Sequence, residues 1–299
     1  MQKYICFLIN LIGILLLQSA AAQPLVLQNN EIAVIYEPPL DSAAGEVVQI
    51  YPGLRQELEE FFSWSLDIRP QVVLVQDNQS FQKMTGNNLF VAFAVPEKTM
   101  IVIDYSRMNV HPFTLDITLK HELCHLLLHR HIRRDSLPKW LDEGICQWVS
   151  DGIGEIFVNQ GWSGLDAAVM SGRTIPLRRM TDFFPPEKTS LMLAYEQSKS
   201  LVNYIDRQYG RSAILNLLDY LKNNESVDTA LVRSLGLTLD QLEKEWLDQL
   251  ESTPRWVVFL TGNLYGILFF IAAVLTFLGF IRLLRRKKKV YEEWEEDEE

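Results

Sequence analysis

The stretch Lys120-His121-Glu122-Leu123-Cys124-His125-Leu126-Leu127-Leu128-His129 constrains this chain more than any other, because it sets His-Glu-x-x-His inside a run that reads as helix. Residues four apart on a helix stand one turn above each other on the same face. His121 and His125 can therefore both point a nitrogen at one Zn²⁺. Glu122 sits beside that face, where it can take a proton from a metal-bound water, the arrangement a metal-dependent hydrolase needs. The bland alternative is a helix whose histidines are surface residues or satisfied core groups.

Two ligands do not hold a catalytic zinc; a third is needed, with the fourth position open to water. Downstream lies Leu137-Pro138-Lys139-Trp140-Leu141-Asp142-Glu143-Gly144-Ile145-Cys146-Gln147-Trp148. Proline fits the first turn of a helix, and Trp140, Leu141, Ile145, Trp148 and Val149 recur at roughly helical spacing. Seventeen residues lie between His125 and Glu143, enough for one helix to end, reverse and bring a second alongside. Glu143 then becomes the third ligand. The competing reading is a solvated glutamate near a helix start, where the dipole favours acids.

His121-Glu122-Leu123-Cys124-His125 followed by Trp140-Leu141-Asp142-Glu143-Gly144 resembles the gluzincin metallopeptidases, the group with thermolysin-like and aminopeptidase-like catalytic domains, and more closely their small peptidase-MA-like domains. Two later stretches add to the resemblance. Leu193 to Ile205 is similar to the helix that supplies a tyrosine to the active site, and Leu235 to Trp246 to the C-terminal segment. The resemblance covers about residues 30 to 250 and implies an α+β zincin fold, a small sheet followed by a helical subdomain. It implies His121, His125 and Glu143 as zinc ligands, Glu122 as general base, and Tyr195 as the phenol that hydrogen-bonds the developing oxyanion. A tyrosine in an apolar helix is also an ordinary core residue.

The chain departs from the family pattern in two places. A ligand histidine donates its second N–H to a carboxylate or carbonyl, and thermolysin-like enzymes place an aspartate one turn after the ligand glutamate. Here that position is Gln147, whose side-chain carbonyl is the expected acceptor. The Gly-x-Met-Glu-Asn motif by which aminopeptidases of the clan grip a free amine is missing; the comparable region reads Gly86-Asn87-Asn88-Leu89-Phe90-Val91-Ala92-Phe93. Hydrolysis is compatible with that change, whereas the aminopeptidases' grip on a free amine is not carried over by these residues.

Ahead of the motif the pattern is strand-like with one helix. Glu31–Tyr36, Val72–Val75, Leu89–Val95 and Met100–Tyr105 read as strands, the last two joined by a hairpin turn at Pro96–Thr99. Leu54, Leu58, Phe61, Phe62 and Leu66 make the helical face. In the resembling families an edge strand of such a small antiparallel or mixed sheet binds substrate backbone in extended form. Ile153–Pro186 has no clear periodicity and reads as a linker. Thr189–Tyr209, Ser212–Leu221, Val227–Leu235 and Leu239–Leu250 read as helices, with Gly210 and Gly236 as terminators.

Residues 1–22 carry Lys3, an apolar core from Ile5 to Leu17 and Ala20-Ala21-Ala22, the pattern of a cleaved secretory signal; an uncleaved anchor is the alternative. Trp256–Ile281 has no charged residue over 26 positions and predicts a transmembrane helix. The basic cluster Arg282, Arg285, Arg286, Lys287, Lys288 and Lys289 follows it and puts the C-terminal side in the cytoplasm. Gly262 and Gly266 form a Gly-x-x-x-Gly pair, a pattern common in such helices. Residues 23–252 then form one extracytoplasmic catalytic unit, large enough for its own core. The acidic end Glu292–Glu299 reads as solvated and disordered, or as a docking peptide for a cytoplasmic partner. The whole chain carries 28 basic and 38 acidic residues, net −10, and no basic surplus remains outside the juxtamembrane cluster to hold nucleic acid.

In the exported part only Cys124 and Cys146 remain, each three residues after a proposed ligand. They read either as a disulfide between two helices or as two small buried apolar side chains. Neither is expected as a zinc ligand, since Cys124 points away from the histidine face. Three functions fit these observations: a membrane-anchored zinc metallopeptidase acting on peptide or protein substrates outside the cytoplasm, a catalytically silent peptidase-like sensing module signalling through its tail, and a structural membrane protein with fortuitous histidines.

Overall fold

The computed structural model describes residues 24–86, 88–108, 110, 113–150, 164–252 and 264–296, and only the backbone beyond 285. Two compact units divide at Trp246 and Leu247. The first opens with β1 (Leu25–Gln28), β2 (Ala33–Tyr36), α1 (Asp41–Phe62), β3 (Gln71–Val75), α2 (Asn78–Thr85), β4 (Ala92–Val95) and β5 (Met100–Asp104). These strands form one mixed sheet in the order β1-β2-β3-β5-β4. β2, β3 and β5 run parallel, while β1 and β4 are antiparallel edge strands. The hairpin expected at Pro96–Thr99 is present: Val95 pairs with Met100, and Thr99 sits at a left-handed φ of 53°.

Two elements here were not expected from sequence. β1 is exposed along its whole length, so it has no alternation of burial to announce it. Helix α2 buries only Phe81, too little to draw an apolar stripe. Its end signals are nonetheless present: the Asp77 side chain accepts from the Ser80 N–H, and Gly86 closes the helix at φ 66°.

The helical part follows as α3 (Leu115–His131), α4 (Lys139–Val149), α5 (Gly164–Ser171), α6 (Lys188–Tyr209), α7 (Arg211–Lys222), α8 (Val227–Leu235) and α9 (Leu239–Ser252). α3 is buried nearly all round, from Leu115 through Leu128, because it runs between α1, α4 and β4. That burial explains its lack of an apolar stripe. The linker expected at 153–186 is a linker only in part. Its first residues lie outside those described, but Leu165, Ala168 and Val169 make one buried face of α5, and Leu177–Met180 form a 3₁₀ turn. These segments are too short for a period to show in sequence.

α6 begins at a carboxylate cap: Glu187 accepts from the Thr189 and Ser190 N–H groups, which pull its carboxyl down to about 2. That contribution is complete above the ordinary carboxylate range and disappears as pH falls toward 2. α6 packs along α4, and the contact depends on Gly144. A Cβ at Gly144 would stand 2.5 Å from the Ser198 carbonyl oxygen and 2.6 Å from Val202 Cγ2. The second unit contains α10 (Leu264–Glu296), whose segment Leu264–Arg285 is long and apolar enough to cross a membrane. Residues 1–22, where a signal is expected, and 256–263 of the expected span lie outside the described residues. The tail expected to be disordered is instead helical as far as Glu296. Lys, Arg and Glu are good helix formers, and extending an existing helix needs no new nucleus.

Gly144→Ala forces α4 off α6, since one of the two obstructing groups is backbone. The expected cost is about 1–3 kcal/mol, read as a fall in the unfolding midpoint; an unchanged midpoint would show the contact to be soft.

Candidate metal centre and its cleft

Helix α3 sets His121 and His125 one turn apart, and α4 returns alongside to bring Glu143 against both. The two Nε2 atoms are 3.2 Å apart. Glu143 Oε2 stands 3.5 Å from His125 Nε2 and 3.8 Å from His121 Nε2. Ligands about 2.0–2.1 Å from a tetrahedral zinc stand about 3.3 Å from one another, so these three donor atoms fit such an ion. Glu143 Oε2 is buried and accepts no hydrogen bond among the described residues, as expected of an atom aimed at a cation. Glu122 follows His121 on α3 and is fully buried.

The second-sphere partner of His125 is Asp142, not Gln147. Nδ1 of His125 is 2.7 Å from Asp142 Oδ1, which assigns the proton to Nδ1 and leaves the Nε2 lone pair facing His121 and Glu143. Gln147 is turned away: its amide donates to the carbonyl oxygens of Glu143 at 3.3 Å and Tyr195 at 3.2 Å, stitching α4 to α6. At His125 the acceptor is thus the carboxylate one residue before Glu143 and not the expected glutamine carbonyl.

Three residues with no role expected from sequence hold the cluster together. Asp142 Oδ2 takes His129 Nε2 at 3.1 Å, so the histidine one turn beyond His125 supports the same carboxylate. Lys139 Nζ lies 2.6 Å from Glu143 Oε1 and 3.7 Å from Asp142 Oδ2. The Tyr195 hydroxyl donates to that same Oε1 at 3.4 Å. One oxygen of Glu143 thus takes Lys139 and Tyr195 while the other faces the imidazoles. His129 and Lys139 could have been read as members of i,i+4 pairs with His125 and Glu143; Asp142 could not, since adjacent helix residues point about 100° apart.

Electrostatics follow from this packing. Burial alone would push His125 down, but Asp142 and Glu143 hold it well above the usual histidine range. Burial would push Glu143 up, yet Lys139 and His125 hold it well below the usual carboxylate range. Cys124 and Cys146 are free thiols and both buried, so the buried-thiol reading holds and the disulfide does not. Cys146 Sγ lies 3.4 Å from His125 Nδ1, and His125, Asp142 and Cys146 make a second group able to hold a metal. That group needs a thiolate and the Nδ1 lone pair. Burial and Cys124 push the Cys146 thiol up, and Nδ1 already serves Asp142. The set His121, His125 and Glu143 is the better fit.

A cavity of about 430 Å³ opens beside Glu143 and Tyr195, walled by Phe93 and Ala94 of edge strand β4 and by Phe184 and Leu191 on the α6 side. The Tyr195 ring packs edge-on against Phe184, centroids 5.1 Å apart.

Residues 72–252 match the model of the Peptidase MA superfamily. Among solved structures the chain is similar to an M1 zinc metallopeptidase from Deinococcus radiodurans, at 17% identity and TM-score 0.44 over 76% of this chain and 50% of that one. It is also similar to native yeast LTA4 hydrolase, at 14% identity and TM-score 0.45 over 78% of this chain and 38% of that one. It thus spans half the length of the former and less of the latter. A comparison with curated sequences gives no match. The family match covers β3, β4 and β5, the histidine helix and the glutamate helix together, and the chain belongs to the Peptidase MA superfamily as a gluzincin-type domain.

Proposed function

We propose that this protein is a membrane-anchored zinc metallopeptidase that hydrolyses peptide bonds outside the cytoplasm, with His121, His125 and Glu143 as zinc ligands. The observation that carries the reading is the convergence of three buried donor atoms, 3.2 to 3.8 Å apart, from two helices of a Peptidase MA domain. When bound, zinc polarises the scissile carbonyl and makes a water acidic enough to lose a proton near neutral pH.

The chain's own residues supply the rest. Glu122 takes the proton of the attacking water and passes it to the departing amine, so that water adds across the C–N bond as it breaks. Tyr195 turns its hydroxyl from Glu143 to the carbonyl oxygen as charge develops there. Asp142 keeps His125 in the tautomer that offers Nε2 to the metal, and His129 steadies Asp142. Strand β4 is an edge of the sheet and a wall of the cavity, which suits it to take a peptide in extended form.

The membrane part of the proposal is residues 1–22 as a signal, 23–252 as the extracytoplasmic unit, 256–281 as the span and 282–299 as a cytoplasmic tail open to a partner. Its support is the apolar length of Leu264–Arg285 and the basic cluster after it.

Glu122→Gln is expected to lower peptide hydrolysis by about 10²–10⁴-fold while zinc, measured by metal analysis, stays stoichiometric; full activity in that variant would remove Glu122 as the base. Tyr195→Phe should lower kcat by about 10²–10³-fold with little change in KM, and an effect confined to KM would make Tyr195 a packing residue. Asp142→Asn is expected to weaken zinc binding about 10–100-fold in competition with a chelator; unchanged affinity would leave His125 without need of that carboxylate.

A further inference from the structure

The cleft has a charge pattern that the hydrolytic machinery does not require. Beside the first cavity lies a second, of about 460 Å³, lined by Gln82, Asn88, Leu89 and Lys188 among others. In a chain of net charge −10, the lining of the two cavities contains, among the described residues, Lys139 and Lys188 and no acidic residue except Glu143. Of the other carboxylates nearby, Asp142 stands 3.7 Å from Lys139 but is buried against His125 and His129, Glu122 is fully buried on α3, and Glu187 is turned into the first turn of α6. Lys139 lines the first cavity with its side chain 37% exposed, and it rises from α4 among Met84, Phe90, Phe93, Phe184 and Leu191. A cation set in an aromatic wall repels basic side chains and attracts a carboxylate, and the low local polarity strengthens both effects.

The geometry points to a peptide class: we infer that the cleft selects segments carrying a large apolar side chain with an Asp or Glu beside it, the apolar group on the phenylalanine wall and the carboxylate on Lys139. When a divalent cation draws on Glu143, the hold of that carboxylate on Lys139 weakens, and the ammonium can turn further toward substrate. Lys188 extends the preference to carboxylates lying farther along the chain, in the second cavity. This rests on the peptidase reading above, and its test is arranged to fail separately from it.

The zinc-loaded full chain in detergent is given matched quenched peptides with one Phe and, one to four residues from it, either Glu or its neutral isostere Gln. The Glu member should be cleaved with kcat/KM about tenfold higher, the size of one partly exposed charge-assisted hydrogen bond. Lys139→Met should bring the ratio close to one and Lys139→Arg should keep it. Lys188→Met, at an exposed position, should lower it only for the peptides with the larger spacing. Equal cleavage of the two members by the unaltered protein overturns the inference, as does a ratio unmoved by Lys139→Met and Lys188→Met. If no peptide is cleaved, the peptidase reading fails, and fluorescence anisotropy with the same peptides on zinc-loaded Glu122→Gln decides the cleft alone. Tighter binding of the Glu member that is lost when Lys139→Met is added supports it, and equal binding of the two members overturns it.

Discussion

Everything in this domain is arranged around a group of buried charges at the base of the cleft. Glu122, Asp142 and Glu143 are each at most 3% exposed, and His121 and His125 lie against them at no more than 4%. Carboxylates removed from water to this degree are costly unless paired. Among the described residues, Lys139 is the lysine or arginine that reaches Asp142 and Glu143. One ammonium does not balance two buried carboxylates, and a divalent ion held between the imidazoles and Glu143 would supply the missing positive charge. The same carboxylates hold His125 well above the usual histidine range.

The second constraint is mechanical. Glu143 and Tyr195 stand on different helices, and their approach is set by how closely α4 can lie on α6. Gly144 removes the side chain that would hold the helices apart, and Gln147 bridges the Glu143 and Tyr195 carbonyls from between them. Residues with no chemistry of their own thus locate those proposed to have it. α3 is held just as firmly, buried between α1, α4 and β4, so its two histidines keep one spacing.

Much of this was legible in order along the chain. His-Glu-x-x-His states its own geometry, because a helix of 3.6 residues per turn leaves positions i and i+4 no choice but to share a face. The later helices were equally readable from their apolar period and from Gly210 and Gly236 at their ends. β1, α2 and α5 were not, since each buries too few residues to leave a pattern.

By itself, the sequence determined that two imidazoles and a glutamate would be available for a metal, that a small sheet would precede a helical part, and that an apolar segment would follow. These are consequences of local periodicity and composition. The tertiary structure alone decided which carboxylate supports His125, that Gln147 joins two helices instead, that both cysteines are buried beside the cluster, and that Lys139 looks into an aromatic cleft. Those contacts join residues 17 to 52 positions apart, such as His125 with Asp142 and Glu143 with Tyr195. No local rule reaches so far, because such pairs form only when separate helices pack and exclude the water between them.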